Sequence, residues 1–149
     1  MDKRLVVALL AVAAVVYACG PRTHAAERSA KRHDADAKAE VVGKVDVTTA
    51  PVVTFLLEVT NKTAKLVELN FPSAQTHDFA VLDATEREVW RWSRERMFTQ
   101  VLRNEPLARG ASITFSEEWR DAKPGTYTLV ASTMSTNHPI EERTSFTVR

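Results

Sequence analysis

The sequence predicts an all-β domain over residues 41–149, built as an immunoglobulin-like antiparallel β-sandwich of about eight strands. Short runs in this region alternate apolar and polar residues with a period of two, as strands covered on one face require. Turn-forming residues separate the runs at a spacing that is typical of a sandwich. A domain of this size buries roughly 65% of its unfolded surface, so its core suffices without disulfide bonds.

The first two predicted strands flank a turn at Asn61-Lys62-Thr63. Within residues 53–60, four apolar side chains share one face, and polar side chains lie on the other. Residues 67–71 repeat this alternation. We expect both strands to contribute to the core.

The next two strands, residues 79–83 and 89–92, are predicted to pair as a hairpin. Because successive strand side chains alternate, Trp90 and Trp92 point to the same face. One interpretation packs both tryptophans between the sheets. The alternative leaves one of them exposed as a contact platform, since tryptophan is enriched at interface hot spots.

Four further runs complete the set, and they cover residues 99–103, 111–116, 126–133 and 144–148. Their inward-facing positions are predicted from the same period of two. These candidates are Ile113, Phe115, Tyr127, Leu129, Ala131, Phe146 and Val148.

Two motifs in the middle of the chain point to a family. The residues that carry them are Phe71, Ser73, Gln75, Asp78, Phe79, Val89, Trp90, Arg91, Trp92, Ser93 and Phe98. This pattern resembles the BsuPI-type proteinase inhibitor domain of bacteria, which runs approximately F-x-S-G-Q-x-Y-D-F, then V-W-R-W-S. The resemblance extends roughly over residues 52–133 and includes Leu107, Gly110, Trp119, Pro124, Gly125, Thr126 and Tyr127.

The resemblance implies a mainly structural role for most motif positions. These are Phe71, Ser73, Gln75, Asp78, Phe79, Trp119, Pro124, Gly125 and Tyr127. The chain departs from the family pattern at two places, where Ala74 replaces a glycine and His77 a tyrosine. If the backbone at residue 74 needs a positive φ, alanine would strain it and the turn before Gln75 would be reshaped.

The amino terminus predicts export. Lys3 and Arg4 precede a 14-residue apolar run that ends at Ala18, shorter than the roughly 20 residues that span a bilayer. Residues 1–18 are therefore interpreted as a signal peptide. The following Cys19 completes a sequence that resembles a bacterial lipobox, which implies a lipidated amino terminus. Cleavage after Ala25 is the competing interpretation and would give a soluble secreted or periplasmic protein.

Residues 19–40 are expected to comprise the lipidated Cys19 and a disordered charged tether that follows it. The segment is rich in alanine and mixed charges and has almost no bulky apolar side chain, so it cannot build a core. Unfolded, it would span on the order of 25 Å. The expected location is therefore the cell envelope, with the domain from residue 41 onward held off the membrane.

Several function classes are excluded by composition and spacing. The chain has 20 basic and 19 acidic residues, which argues against a nucleic-acid partner. Ser73, His77 and Asp78 include the residue types of a catalytic triad, but they lie on one short segment without a nucleophile elbow. No spacing matches a metal site or a phosphate-binding loop. We expect neither an enzyme nor a cofactor.

Two loops are candidates for contact with a partner: residues 93–98, which adjoin the second motif, and residues 134–141. With the neighbouring tryptophans, the candidate binding residues are Trp90, Trp92, Arg94, Glu95, Arg96, Met97 and Phe98. A plain charged hairpin end is the alternative interpretation of the first loop. A rigid sandwich loop docks into a protease cleft at little cost in ordering entropy.

Two functions therefore remain open. The first is an exported, lipid-anchored proteinase inhibitor that docks a loop non-covalently into a serine protease. The second is a non-inhibitory interaction module that binds an envelope protein or a glycan through exposed aromatic side chains. Inhibition of a serine protease at a one-to-one ratio would separate them.

Overall fold

The computed structural model describes residues 40–149 and confirms the all-β prediction. This part of the chain contains nine strands and no helix. The strands are β1 (Val41–Thr48), β2 (Val53–Asn61), β3 (Val67–Phe71), β4 (His77–Leu82), β5 (Glu88–Arg91), β6 (Arg103–Leu107), β7 (Ser112–Trp119), β8 (Gly125–Thr133) and β9 (Glu141–Val148). Accordingly, residues 40–149 include no helix with the length and apolar character that a membrane crossing requires. The signal peptide, Cys19 and the tether up to residue 39 lie outside the described residues.

The strands form a sandwich of two main sheets. One sheet has the order β1-β2-β7 and the other β5-β4-β8-β9, while β3 and β6 pair as a small third sheet. Every pairing is antiparallel. The predicted hairpin is confirmed, since β4 and β5 pair with Val81 opposite Trp90. Strands β5 and β7 are edge strands of the two main sheets.

Aromatic packing joins the two sheets at Phe55 of β2, which is fully buried. Its ring centroid lies 5.9 Å from that of Phe79, 5.6 Å from that of Trp90 and 5.6 Å from that of Phe146. One side chain therefore contacts three strands of the opposite sheet. Such aromatic pairs contribute beyond their buried area, by about 0.5–1.5 kcal/mol each.

The predicted inward faces agree with the observed burial. The fully or nearly buried members are Phe115, Leu129, Ala131, Phe146 and Val148. Ile113 and Tyr127 are half-buried and pack against the core. The period of two thus identified the core side of three strands.

Two strands differ from the sequence prediction. Strand β1 was not among the predicted strands, because Gly43 interrupts its apolar pattern and most of its side chains stay partly exposed. The strand predicted at residues 99–103 is wrong: the chain remains irregular up to Leu102, and β6 begins at Arg103. Val101 and Leu102 point to solvent, with 60% and 79% of their surfaces exposed. Pro106 is tolerated in β6 because this strand pairs on one side only.

The turn between β4 and β5 is organised by one carboxylate. Oδ1 of Asp83 accepts hydrogen bonds from the Thr85 hydroxyl and backbone N–H and from the Arg87 N–H, while Oδ2 accepts from the Arg87 guanidinium. These donors, the Thr85 hydroxyl above all, hold the pKa of Asp83 well below its usual range. Glu86 closes the turn in the left-handed region, at a φ of 60°.

Replacing Glu86 with glycine should stabilise the domain by about 1 kcal/mol, because glycine adopts a positive φ without the steric cost of a Cβ atom. Urea unfolding measures the change. The matched control is Ala84→Gly in the same turn, which should lower the free energy of unfolding because Ala84 does not have a positive φ. Equal effects of the two glycines would contradict the prediction.

Candidate functional site

The two motifs meet through the buried carboxylate of Asp78, at the start of β4. Its Oδ2 accepts a hydrogen bond from the Ser93 hydroxyl at 2.8 Å and lies 3.3 Å from Nε of Arg91. Its Oδ1 accepts from the backbone N–H of Phe79 at 2.9 Å. A buried carboxylate needs such partners to offset its desolvation. This network fixes the chain after β5 against β4.

The turn before β4 carries the departure at Ala74. The backbone N–H of Gln75 donates to the Ser73 hydroxyl, and that of Ala74 donates to the carbonyl of Thr99 at 2.9 Å. Within the described residues, Ala74 is not among those with a positive φ. Alanine is therefore accommodated here without left-handed strain, and the turn holds residue 99 in place.

His77, the second departure, is buried between two aromatic rings. Its ring centroid lies 4.3 Å from that of Trp92 and 4.7 Å from that of Phe115, with both pairs stacked. Nε2 lies 3.2 Å from Oε1 of Glu117, and Nδ1 lies 3.1 Å from the Thr76 hydroxyl. The stack joins β4 to β7 and therefore connects the two main sheets.

Burial lowers the pKa of His77 below its ordinary value of 6.5, and the hydrogen bond to Glu117 offsets part of this effect. At neutral pH the imidazole is therefore uncharged. The tautomer that fits its neighbours donates from Nε2–H to Glu117 and accepts at Nδ1 from Thr76.

Residues 93–98 begin with a turn and continue as irregular chain, and their two arginines contact the scaffold while more than half of each side chain stays exposed. Arg94 pairs with Glu88. Arg96 donates from Nε to the Trp92 carbonyl at 3.1 Å, and its Cζ lies 4.6 Å from the centroid of the Trp92 ring. Its guanidinium also reaches within 4.0 Å of Glu117. The predicted loop is thus held from several sides.

The remaining members of the loop differ in exposure. Glu95 is exposed and Met97 is completely exposed, whereas Phe98 is half-buried with its ring 5.5 Å from that of Trp92. The irregular chain continues to residue 102 and carries two further exposed apolar side chains, Val101 and Leu102. The sequence prediction missed these two because it placed them in a strand.

The aromatic side chains Trp90, Trp119 and Tyr127 define a second surface, which we call the aromatic edge. Trp90 is half-buried, and its ring centroid lies 6.1 Å from that of Trp119. Trp119 is buried, and its ring centroid lies 5.1 Å from that of Tyr127. Together with Val89, Asp121 and Lys123, they line an open cavity of about 370 Å³. Trp90 and Trp92 each pack against the core and keep part of their surface exposed.

The turn that precedes β8 supports the aromatic edge. The Tyr127 hydroxyl donates to the carbonyl of Lys123 at 3.0 Å, across the turn that contains Pro124 and Gly125. This bond fixes one end of the cavity. The segment from Pro124 to Tyr127, which belongs to the family pattern, therefore shapes the aromatic edge.

The second candidate loop, residues 134–141, is fastened to β3. The amide of Asn137 donates to the Glu68 carbonyl and accepts from the Asn70 N–H, and the Thr136 N–H donates to the Asn70 carbonyl. These polar groups are used within the domain. Both loops are thus anchored, and the first is the better candidate for a partner because it alone of the two carries an exposed large apolar side chain, Met97.

Glu117 is a site residue that sequence reasoning missed. The signal was present, since Phe115, Glu117 and Trp119 alternate onto one face of β7 and place a carboxylate beside two core residues. A carboxylate in that position requires a partner. Within residues 40–149, no three His, Cys, Asp or Glu side chains form a set that could hold a metal ion.

Protonation of His77 should destabilise the domain. Because its pKa is lower in the folded state than in the unfolded state, the unfolded chain binds more protons as the pH falls below about 6.5. The stabilisation is complete above this pH and is lost progressively as the pH falls toward the folded-state pKa. Urea unfolding between pH 7.5 and 5 measures the slope.

The variant His77→Gln, which retains a donor for Glu117, should have a smaller slope over this pH range. The wild-type protein, measured over the same pH range, is the reference. An unchanged slope in His77→Gln would contradict the assignment.

The comparisons with known proteins agree with this architecture. The family model for BsuPI, described as an intracellular proteinase inhibitor, matches residues 41–138. A search of curated proteins finds no match. The family match spans well over half of the chain and includes both motifs, the aromatic edge and the first loop. The chain belongs to the BsuPI family of proteinase inhibitors.

Proposed function

We propose that the protein is an exported, lipid-anchored inhibitor that docks residues 93–98 non-covalently into the active-site cleft of a serine protease. Membership of the BsuPI family favours a protease as the partner. The observation that carries the proposal is the anchoring of this loop. Arg94 and Arg96 are tied to the scaffold, and Phe98 rests on Trp92, while Met97 is free of contacts that would bury it.

A loop fixed in this way suits inhibition. Docking a flexible segment costs conformational entropy for each side chain that becomes ordered. Here the Asp78 network and the turn at Ala74 have already ordered the chain on both sides of the loop. A protease would therefore bind a preformed surface, and the slow release of the complex would provide its affinity.

The anchor is proposed from the sequence. Cys19 would carry the lipid, and residues 20–40 would separate the domain from the membrane. The inhibitor would then act on proteases of the cell envelope. Cleavage after Ala25 remains the alternative and would release the same domain as a soluble protein.

The lipid anchor predicts that the protein sediments with membranes and that Cys19→Ser moves it to the soluble fraction or leaves the precursor uncleaved. The measurement is fractionation with labelling by a radioactive fatty acid. The control is Ser29→Ala, a substitution within the proposed tether that should leave the labelling unchanged. Equal labelling of the Cys19→Ser variant would contradict lipidation at this residue.

A one-to-one complex with a serine protease is the central expectation. Titration of the purified protein into subtilisin-like and trypsin-like enzymes should give a saturable loss of activity in one class, with the inhibitor chain left intact. Flat titration curves in both classes would contradict the proposal. The control is the same protein unfolded in urea and diluted into the assay before it refolds.

The alternative function uses the aromatic edge. The cavity lined by Trp90, Trp119 and Tyr127 is an open, largely apolar groove of the kind that can hold a sugar ring or a protein side chain. An interaction module of this kind would inhibit no protease. Its intrinsic tryptophan fluorescence would change on addition of the partner or a glycan, because Trp90 lines the cavity.

A further inference from the structure

Three of the five large apolar side chains that are exposed in residues 40–149 lie within residues 97–102, which we call the apolar strap. They are Met97, Val101 and Leu102. Exposed apolar side chains that cluster on one short segment indicate a surface that a partner covers. The strap has no regular secondary structure, and it leads into β6 at Arg103.

The geometry points to Met97 as the residue that enters the specificity pocket of the protease, and hence to a target whose pocket is apolar. This inference rests on the proposed inhibitory function and makes it more specific. Met97 is 100% exposed, the highest value among the exposed apolar residues of the described chain. A side chain that fills a pocket on a partner must project from its own domain in this way.

The neighbours of Met97 fix its position. Arg96 on one side and Phe98 on the other both lie against the ring of Trp92, at 4.6 Å and 5.5 Å from its centroid. Trp92 is itself stacked on His77 at 4.3 Å. The backbone at residue 97 is therefore held from both sides on a rigid aromatic base, while its side chain extends into solvent.

The contacts of the arginines argue against a target that prefers a basic residue. Arg94 pairs with Glu88, and Arg96 contacts Trp92 and lies near Glu117. More than half of each side chain is exposed, but presenting either guanidinium to a protease would compete with these contacts. Met97 has no such cost, and an unbranched thioether adapts well to an apolar pocket.

The rest of the strap extends the same contact. Thr99 lies two residues beyond Met97, and its carbonyl accepts a hydrogen bond from the N–H of Ala74 at 2.9 Å. Val101 and Leu102 then place apolar surface further along the chain, where it can cover the rim of the cleft. The strap thus presents one fully exposed apolar side chain at its amino-terminal end, a fixed backbone and an apolar extension.

The test compares Met97→Lys with the wild type and with two control variants. The assay measures inhibition constants of the full chain against a subtilisin-like or chymotrypsin-like protease and against trypsin. Met97→Lys should weaken inhibition of the enzyme with the apolar pocket about 100-fold and strengthen inhibition of trypsin, because the pocket preference follows the inserted side chain. Met97→Leu should stay within about threefold of the wild type.

The matched control is Leu66→Lys, which adds the same charge at an apolar residue that is 62% exposed outside the strap. It should leave both inhibition constants unchanged. All three variants alter exposed side chains, so their melting temperatures should remain close to that of the wild type.

The outcomes are distinguishable. If the wild type inhibits neither class, the proposed function fails and this inference fails with it. If the wild type inhibits but Met97→Lys behaves like Leu66→Lys, the inference alone is wrong. A further variant, Leu102→Lys, should not reproduce the change in protease preference. If Leu102→Lys changes the preference and Met97→Lys does not, or if Met97→Lys alters only the oligomeric state, the role of Met97 is wrong.

Discussion

The carboxylate of Asp78 imposes the constraint on which the candidate site depends. A buried anion must be surrounded by donors, and here these are the hydroxyl of Ser93, the guanidinium of Arg91 and a backbone N–H. Two of the three come from the chain around the end of β5. The need to satisfy one charge at the start of β4 therefore determines where the following loop begins.

A second layer of order comes from the aromatic stack beside this carboxylate. His77 lies between Trp92 and Phe115, so a ring from each side joins the loop to both main sheets. The ring of Trp92 also contacts the guanidinium of Arg96 and the ring of Phe98. The exposed part of the loop is consequently built on stacked aromatic side chains, which combine an accessible surface with a rigid base.

The sequence was informative where the structure depends on local alternation. The hairpin of β4 and β5 and the core positions of β7, β8 and β9 were recognisable from residues two positions apart. The family motifs were recognised separately, by their resemblance to a known family pattern. The position of β6 was wrong because apolar residues at 101 and 102 suggested a strand, although they face solvent. Local pattern cannot separate an apolar side chain that packs in a core from one that a partner would cover.

The site depended on contacts between segments that are distant in sequence. Glu117 lies 40 positions from His77, and Ser93 lies 15 positions from Asp78. Whether these groups meet is decided by the pairing of β4 with β5 and by the packing of one sheet on the other. The residue types were visible in the sequence, but their partners were fixed only by the three-dimensional arrangement.

The described domain is held together without a covalent cross-link, since the single cysteine of the chain is Cys19 and its core rests on packing around Phe55. Its folding free energy is therefore independent of thiol oxidation, and the domain should be equally stable in a reducing and in an oxidising compartment. The redox state of its surroundings thus does not restrict where this domain can fold.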